Sequence, residues 1–156
     1  MFGSREKRRK NYRGGLDVIT EENKLKTFLD PIIQKNIRVS LFVSPDVSQI
    51  EAASRVGANI IELNTGTFCD LLIENNKKEY LKEFEKLKEA SVYGKNLGLE
   101  IHGGHGLTFE SVKYIASIPE IRELNIGHFL ISQAVFDGIE KTINTMRLEI
   151  DNSQKK

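Results

Sequence analysis

The sequence predicts an α/β fold in which about four parallel strands lie under five helices. Three observations predict it. Four short apolar runs recur along the chain, and each ends in a polar or glycine-bearing loop. A stretch of helical period follows each run. Strand and helix therefore alternate, which gives a parallel sheet covered by its own crossovers. Two architectures remain open at this level, a doubly wound open sheet and part of a closed barrel. Both place chemistry at the C-terminal ends of the strands.

Residues 1–13 form a polar, basic segment without period. A main domain is expected over 14–150, opened by the turn signal Gly14-Gly15, and a polar tail over 151–156. Thr20 followed by Asn23 suggests a helix start, with Leu25, Phe28, Leu29, Ile32 and Ile33 as its apolar stripe and Pro31 near its end. Residues 38–43, RVSLFV, read as the first strand. The next helix, over 48–56, has Ile50, Ala53 and Val56 on one face, and Gly57 closes it. NIIELN at 59–64 is the second strand, and a long charged helix over 78–97 carries Leu81, Phe84, Leu87 and Val92. LEIH at 99–102 is the third strand, with a helix over 109–118. ELNI at 123–126 is the fourth, with a last helix over 132–150.

The totals limit the function. The chain has 156 residues and a formal charge of +1, so no global field favours nucleic acid or a membrane. The basic run REKRRK at 5–10 is a local exception, read as a solvated tail with nucleic-acid or acidic-partner binding as its rival. No run of about 20 apolar residues offers a membrane span, and no secretory signal is visible. Cys69 is the single cysteine, which fits a reducing cytoplasm and a small buried filler.

The candidate site residues lie at strand ends. Glu62 alternates with Ile61 and Leu63 and so faces the opposite side of the sheet from them. A carboxylate there needs a partner or a task. His105 stands between Gly104 and Gly106, which offer it no apolar wall, so an acid/base or phosphate-contacting role is favoured. Backbone amides from Gly106 onward, and again at Gly127 and His128, precede helices and suit a phosphate. His102, His105, His128 and Glu62 could also be read as metal ligands, but their spacing is not diagnostic and no metal is expected.

GGLDV at 14–18, VSLFV at 39–43, IELNTG at 61–66, GHGLT at 104–108 and ELNIGH at 123–128 occur in this order. The set resembles pyridoxine 5′-phosphate synthase, and the resemblance runs from about Glu6 to Ile150. It implies a (β/α)8 TIM barrel of which this chain is the C-terminal half. It implies a transferase that condenses 3-amino-2-oxopropyl phosphate with 1-deoxy-D-xylulose 5-phosphate, with no cofactor. By motif, His105 matches the family's proton donor and Glu62 a glutamate that stabilises charge in the transition state. Gly106, Gly127 and His128 match residues that hold the aminooxopropyl phosphate.

The departures are as informative. The family's first three strands carry its general bases, and none of those strands is expected here. Asn11-Tyr12-Arg13 stands where relatives have Thr-Thr-Glu, and Asn64 where many have His. The lone chain is therefore expected to be inactive. Its open edges, and whichever of Val39, Leu41, Ile61, Leu63 and Ile101 face inward, should drive association into a homo-oligomer or with a separate N-terminal half. The rival is a non-enzymatic phosphate-binding or interaction half-barrel.

Overall fold

Alternation decides which face of each strand the helices cover. In the second strand Ile61 and Leu63 are fully buried while Glu62 between them is only half-buried. The computed structural model describes residues 14–155. The basic run at 5–10 and the expected segment 1–13 lie outside them.

The strands are β1 (Ser40–Val43), β2 (Ile60–Asn64), β3 (Glu100–Gly104) and β4 (Ile121–Asn125). They form one sheet in the order β1-β2-β3-β4, with every pair parallel. This is the α/β arc of a partial (β/α)8 barrel. The helices are α1 (Val18–Ile33), α2 (Val47–Arg55), α3 (Gly66–Ile73), α4 (Lys77–Asn96), α5 (Val112–Ile115), α6 (His128–Asp137) and α7 (Ile139–Gln154).

Seven helices among the described residues, where the sequence suggests five, come from two differences. A helix, α3, follows β2 directly. The last helix is two, broken at Gly138, whose φ of 81° a side chain would resist. The second of the pair continues past Ile150 to Gln154. Boundaries shift elsewhere. Asp17, not Thr20, caps α1, accepting from the Thr20 amide at 3.2 Å and its hydroxyl at 2.6 Å. The helix expected over 109–118 shrinks to the single turn of α5.

The core lies on the helix side of the sheet. Val39, Leu41, Ile61, Leu63 and Ile101 are all buried there. This corrects the expectation that some of them meet water. Burying such a side chain contributes about 1.5–3 kcal/mol. Ile50 and Ala53 of α2 and Leu87 and Ala90 of α4 pack over them. Helix α4 comes close at Gly94, where a Cβ would lie 2.7 Å from Ile101 Cδ1. Leu81, Val92 and Phe28, expected on buried stripes, are exposed. Phe68, fully buried, meets Tyr80, Phe84 and Tyr114 at ring distances of 5.5–6.2 Å and ties α3 to α4 and α5.

The other face of the sheet is largely polar, with Ser40, Glu62, Asn64, Glu100, His102, Glu123 and Asn125. The outer edge of β1 is partly taken, because the Leu16 amide donates to the Phe42 carbonyl at 2.7 Å. Exposed apolar side chains gather instead on α6 and α7, where Val135 and Phe136 are 79% and 85% exposed.

Candidate functional site

The polar face and the strand ends meet in a cavity of about 690 Å³. Glu62, His105, Gly106, Gly127 and His128 all line it. Three separate chain segments thus converge on one place.

Glu62 reaches the cavity from β2. Its Oε2 accepts from Asn125 Nδ2 at 2.8 Å. Burial pushes its carboxyl above the ordinary carboxylate range, while the Asn125 hydrogen bond and the nearby His102 and His105 pull it back down. In its ionised form this group can face a positive charge that develops on a ligand.

His105 stands just past β3, which runs through Gly103 and Gly104 before the chain turns. The turn falls at His105 and Gly106, with φ of 77° and 82°. A left-handed histidine costs about 1–2 kcal/mol and needs to be held. Thr65, fully buried at the end of β2, holds it: its hydroxyl lies 2.6 Å from the His105 carbonyl and 2.9 Å from that of Gly104. The imidazole does have an apolar wall, contrary to the local reading. Phe42 of β1 supplies it, with ring centroids 5.9 Å apart. On the other side the ring lies against Gly66, where a Cβ would come within 2.6 Å of His105 Cδ2.

The two amide clusters differ. After β3 the Thr108 amide is taken by the Ser111 hydroxyl at 2.8 Å, and α5 is one turn long. Its dipole is correspondingly small. After β4 the ten-residue α6 starts at His128, with Gly127 as N-cap and no side chain capping it. Its first-turn residues His128 and Phe129, with Ser132 beyond them, line the cavity. Phe109 and Phe129, edge to face at 4.8 Å, pin the two loops together.

His102 does not join this group. It lies buried further down β3, with Glu100 at 2.8 Å and Glu123 at 3.7 Å from its ring nitrogens. Arg38 pairs with Glu100 at 2.7 Å behind it. Among the described residues no three His, Cys, Asp or Glu side chains are placed to share a metal ion. Cys69 is buried behind Gly106, and burial raises its thiol pKa. Phe42, Asn125 and Ser132 line the cavity without having been singled out from the sequence. Asn125 ends β4, so the strand-end rule alone would have found it.

The chain matches the family model described as "Pyridoxal phosphate biosynthesis protein PdxJ" over residues 5–152. It belongs to the PdxJ family. Relatives named pyridoxine 5′-phosphate synthase share its sequence closely. That of Ruegeria pomeroyi is 46% identical over 90% of this chain. That of Sulfurihydrogenibium sp. is 45% identical over 91%, and that of Cereibacter sphaeroides 43% over 91%. The matched region covers 57%, 57% and 56% of those proteins, so the chain spans little more than half their length. In this PdxJ chain Glu62, His105, Gly106, Gly127 and His128 share one cavity wall. No helix among the described residues is long and apolar enough to cross a membrane.

Proposed function

We propose that this chain supplies the proton donor and the phosphate cradle of a pyridoxine 5′-phosphate synthase. The reaction joins 3-amino-2-oxopropyl phosphate to 1-deoxy-D-xylulose 5-phosphate and releases pyridoxine 5′-phosphate, inorganic phosphate and water. The observation that carries the reading is the convergence of Glu62, His105, Gly106, Gly127 and His128 on one cavity in a PdxJ chain. The α6 amides and His128 hold the substrate phosphate, because the helix terminus offers N–H donors and positive potential together. His105 donates a proton to the leaving oxygen or to an intermediate, as an imidazole can near neutral pH. The Glu62 carboxylate stabilises positive charge developing on the substrate in a half-buried setting.

Ring closure also requires general bases. The family resemblance puts these on strands that precede the four described here, and four strands are too few to close a barrel. The lone chain therefore binds phosphate without turnover. Melting curves with inorganic phosphate or 3-amino-2-oxopropyl phosphate test the cradle. Ligand at a hundredfold excess over Kd adds about 2.7 kcal/mol to folded-state stability. His128→Ala should reduce that gain more than His102→Ala, since only His128 lines the cavity. Equal gains in both variants would remove His128 from the site. Pyridoxine 5′-phosphate made by the isolated chain would show that it holds bases not identified here.

A further inference from the structure

Glu62 and Asn125 sit on strands that do not touch. Strand β3 lies between them, with Glu62 paired to His102 and Asn125 paired to Gly104. The Glu62 side chain must therefore climb along β3 and cross it to reach the Asn125 amide at 2.8 Å. Position 104 leaves the path open. A Cβ built there would overlap Glu62 Oε1 and lie 2.9 Å from its Cδ. The bare Cα of Gly104 is thus the saddle over which the carboxylate lies.

We propose that Asn125 is the positioning residue of the cavity carboxylate and that Gly104 is the gap through which Glu62 reaches it. This rests on the role given to Glu62 above. The clasp occupies one carboxylate oxygen and leaves the other to a ligand. An amide suits the task because it donates a hydrogen bond and cannot titrate. It favours the ionised carboxylate against the burial that opposes ionisation. The titratable groups around the clasp come from every element that borders it. His102, held by Glu100, and His105 lie on β3 and its loop, Glu123 on β4, and His128 on α6.

The test is a carboxyl-carbon NMR titration of the chain with its glutamates labelled, the Glu62 signal being assigned by its loss in Glu62→Gln. Asn125→Asp should raise the Glu62 midpoint by about one pH unit or more, as like charges at contact do. Asn125→Ala should raise it less. Gly104→Ala should match Asn125→Ala although the amide is still present, because the carboxylate can no longer reach it. The double variant Glu62→Gln with Asn125→Asp reverses donor and acceptor and should recover the urea midpoint lost in Asn125→Asp alone. A merely structural Asn125 would lower stability and leave the Glu62 titration in place. A Glu62 midpoint unchanged to within about 0.3 unit in Asn125→Asp and Asn125→Ala overturns the proposal. Asn125 is exposed, so these two variants decide the matter even if Gly104→Ala fails to fold. No substrate is present, so the result is independent of turnover. A clasp that titrates as expected in a chain that phosphate does not stabilise would overturn the functional reading alone.

Discussion

Replacing Thr65 by valine should loosen the His105 turn at a calculable cost. The Thr65 hydroxyl has one proton and two carbonyls within reach, Gly104 at 2.9 Å and His105 at 2.6 Å. The shorter contact takes the larger share. Gly104 has a second donor, the Thr65 amide at 2.9 Å, which valine keeps. Among the described residues the His105 carbonyl has only the Cys69 thiol besides, at 3.9 Å and weak. Orphaning such a group costs about 1–3 kcal/mol. The left-handed backbone of His105 sets a ceiling, because letting it relax returns about 1–2 kcal/mol. The net loss expected for Thr65→Val is therefore at most about 2 kcal/mol, with faster amide exchange at Gly106 and Leu107. Thr65→Ser keeps the hydroxyl and should lose only about the 0.8 kcal/mol of one buried methyl. Urea unfolding gives the energies and hydrogen exchange locates them. Equal losses in the two variants, with exchange at residues 106 and 107 unchanged, would refute the idea that this hydroxyl holds the turn.

Gly127→Ala should melt within about 0.5 kcal/mol of the parent, since its φ of −119° is ordinary and a Cβ there meets no atom within 4 Å. It should nevertheless lose phosphate stabilisation, because the added methyl takes up room in the cavity that Gly127 lines; an undiminished phosphate shift in melting curves would exclude Gly127 from the cradle. Two glutamates should give stability opposite slopes with pH. Glu22 is pulled from 4.5 to about 2 by its Arg55 and then Lys26 hydrogen bonds, so its contribution is present above pH 4.5 and lost as pH falls toward 2. Glu62 is raised above 4.5 by burial, so the folded state holds its proton longer and stability falls as pH rises from 4.5 through its folded pKa. Urea midpoints against pH should lose the first slope in Arg55→Gln and the second in Glu62→Gln; unchanged slopes would refute each assignment. Finally, Val135→Ser with Phe136→Ser should lower the mass found by light scattering if the exposed α6–α7 face drives association. An unchanged oligomer would move the contact to the sheet edges.

The strands were legible because their signal is local. Ile61 and Leu63 against Glu62 is a period of two that needs no neighbour to interpret. Helix α3 was not legible for a reason now visible. Thr65 stands where an N-cap would, yet its hydroxyl makes no cap bond and is given to the β3 carbonyls. The residue that should announce the helix is used on another strand. The sixth and seventh helices merge in sequence because Gly138 is the one residue that separates them, and its φ of 81° cannot be read from composition. The burial of the strand side chains was hidden for a similar reason. It needed the covered face of the sheet, and the buried side of Val39 and Leu41 follows only once α2 and α4 are in place.

The glycines of HGGHG show where local reading ends. From sequence they make one statement, that the chain turns. In the structure they answer three different demands. Gly103 faces the helices, where a Cβ would press on Ile115 Cγ2 at 3.2 Å. Gly104 lies on the Glu62 face of the sheet and gives passage to a carboxylate from β2 on its way to β4. Gly106 alone is needed for its backbone, at φ 82°, and a Cβ there would also come within 3.1 Å of Cys69 Cβ. The first two requirements come from side chains on other elements, Ile115 of α5 and Glu62 of β2, so the period of the strand itself does not reveal them. Candidate residues could be named from strand ends because the fold class fixes where strand ends gather. The contacts that make those residues chemically competent run across the strands, between Glu62 and Asn125 and between Thr65 and His105, and the parallel register is what brings them together.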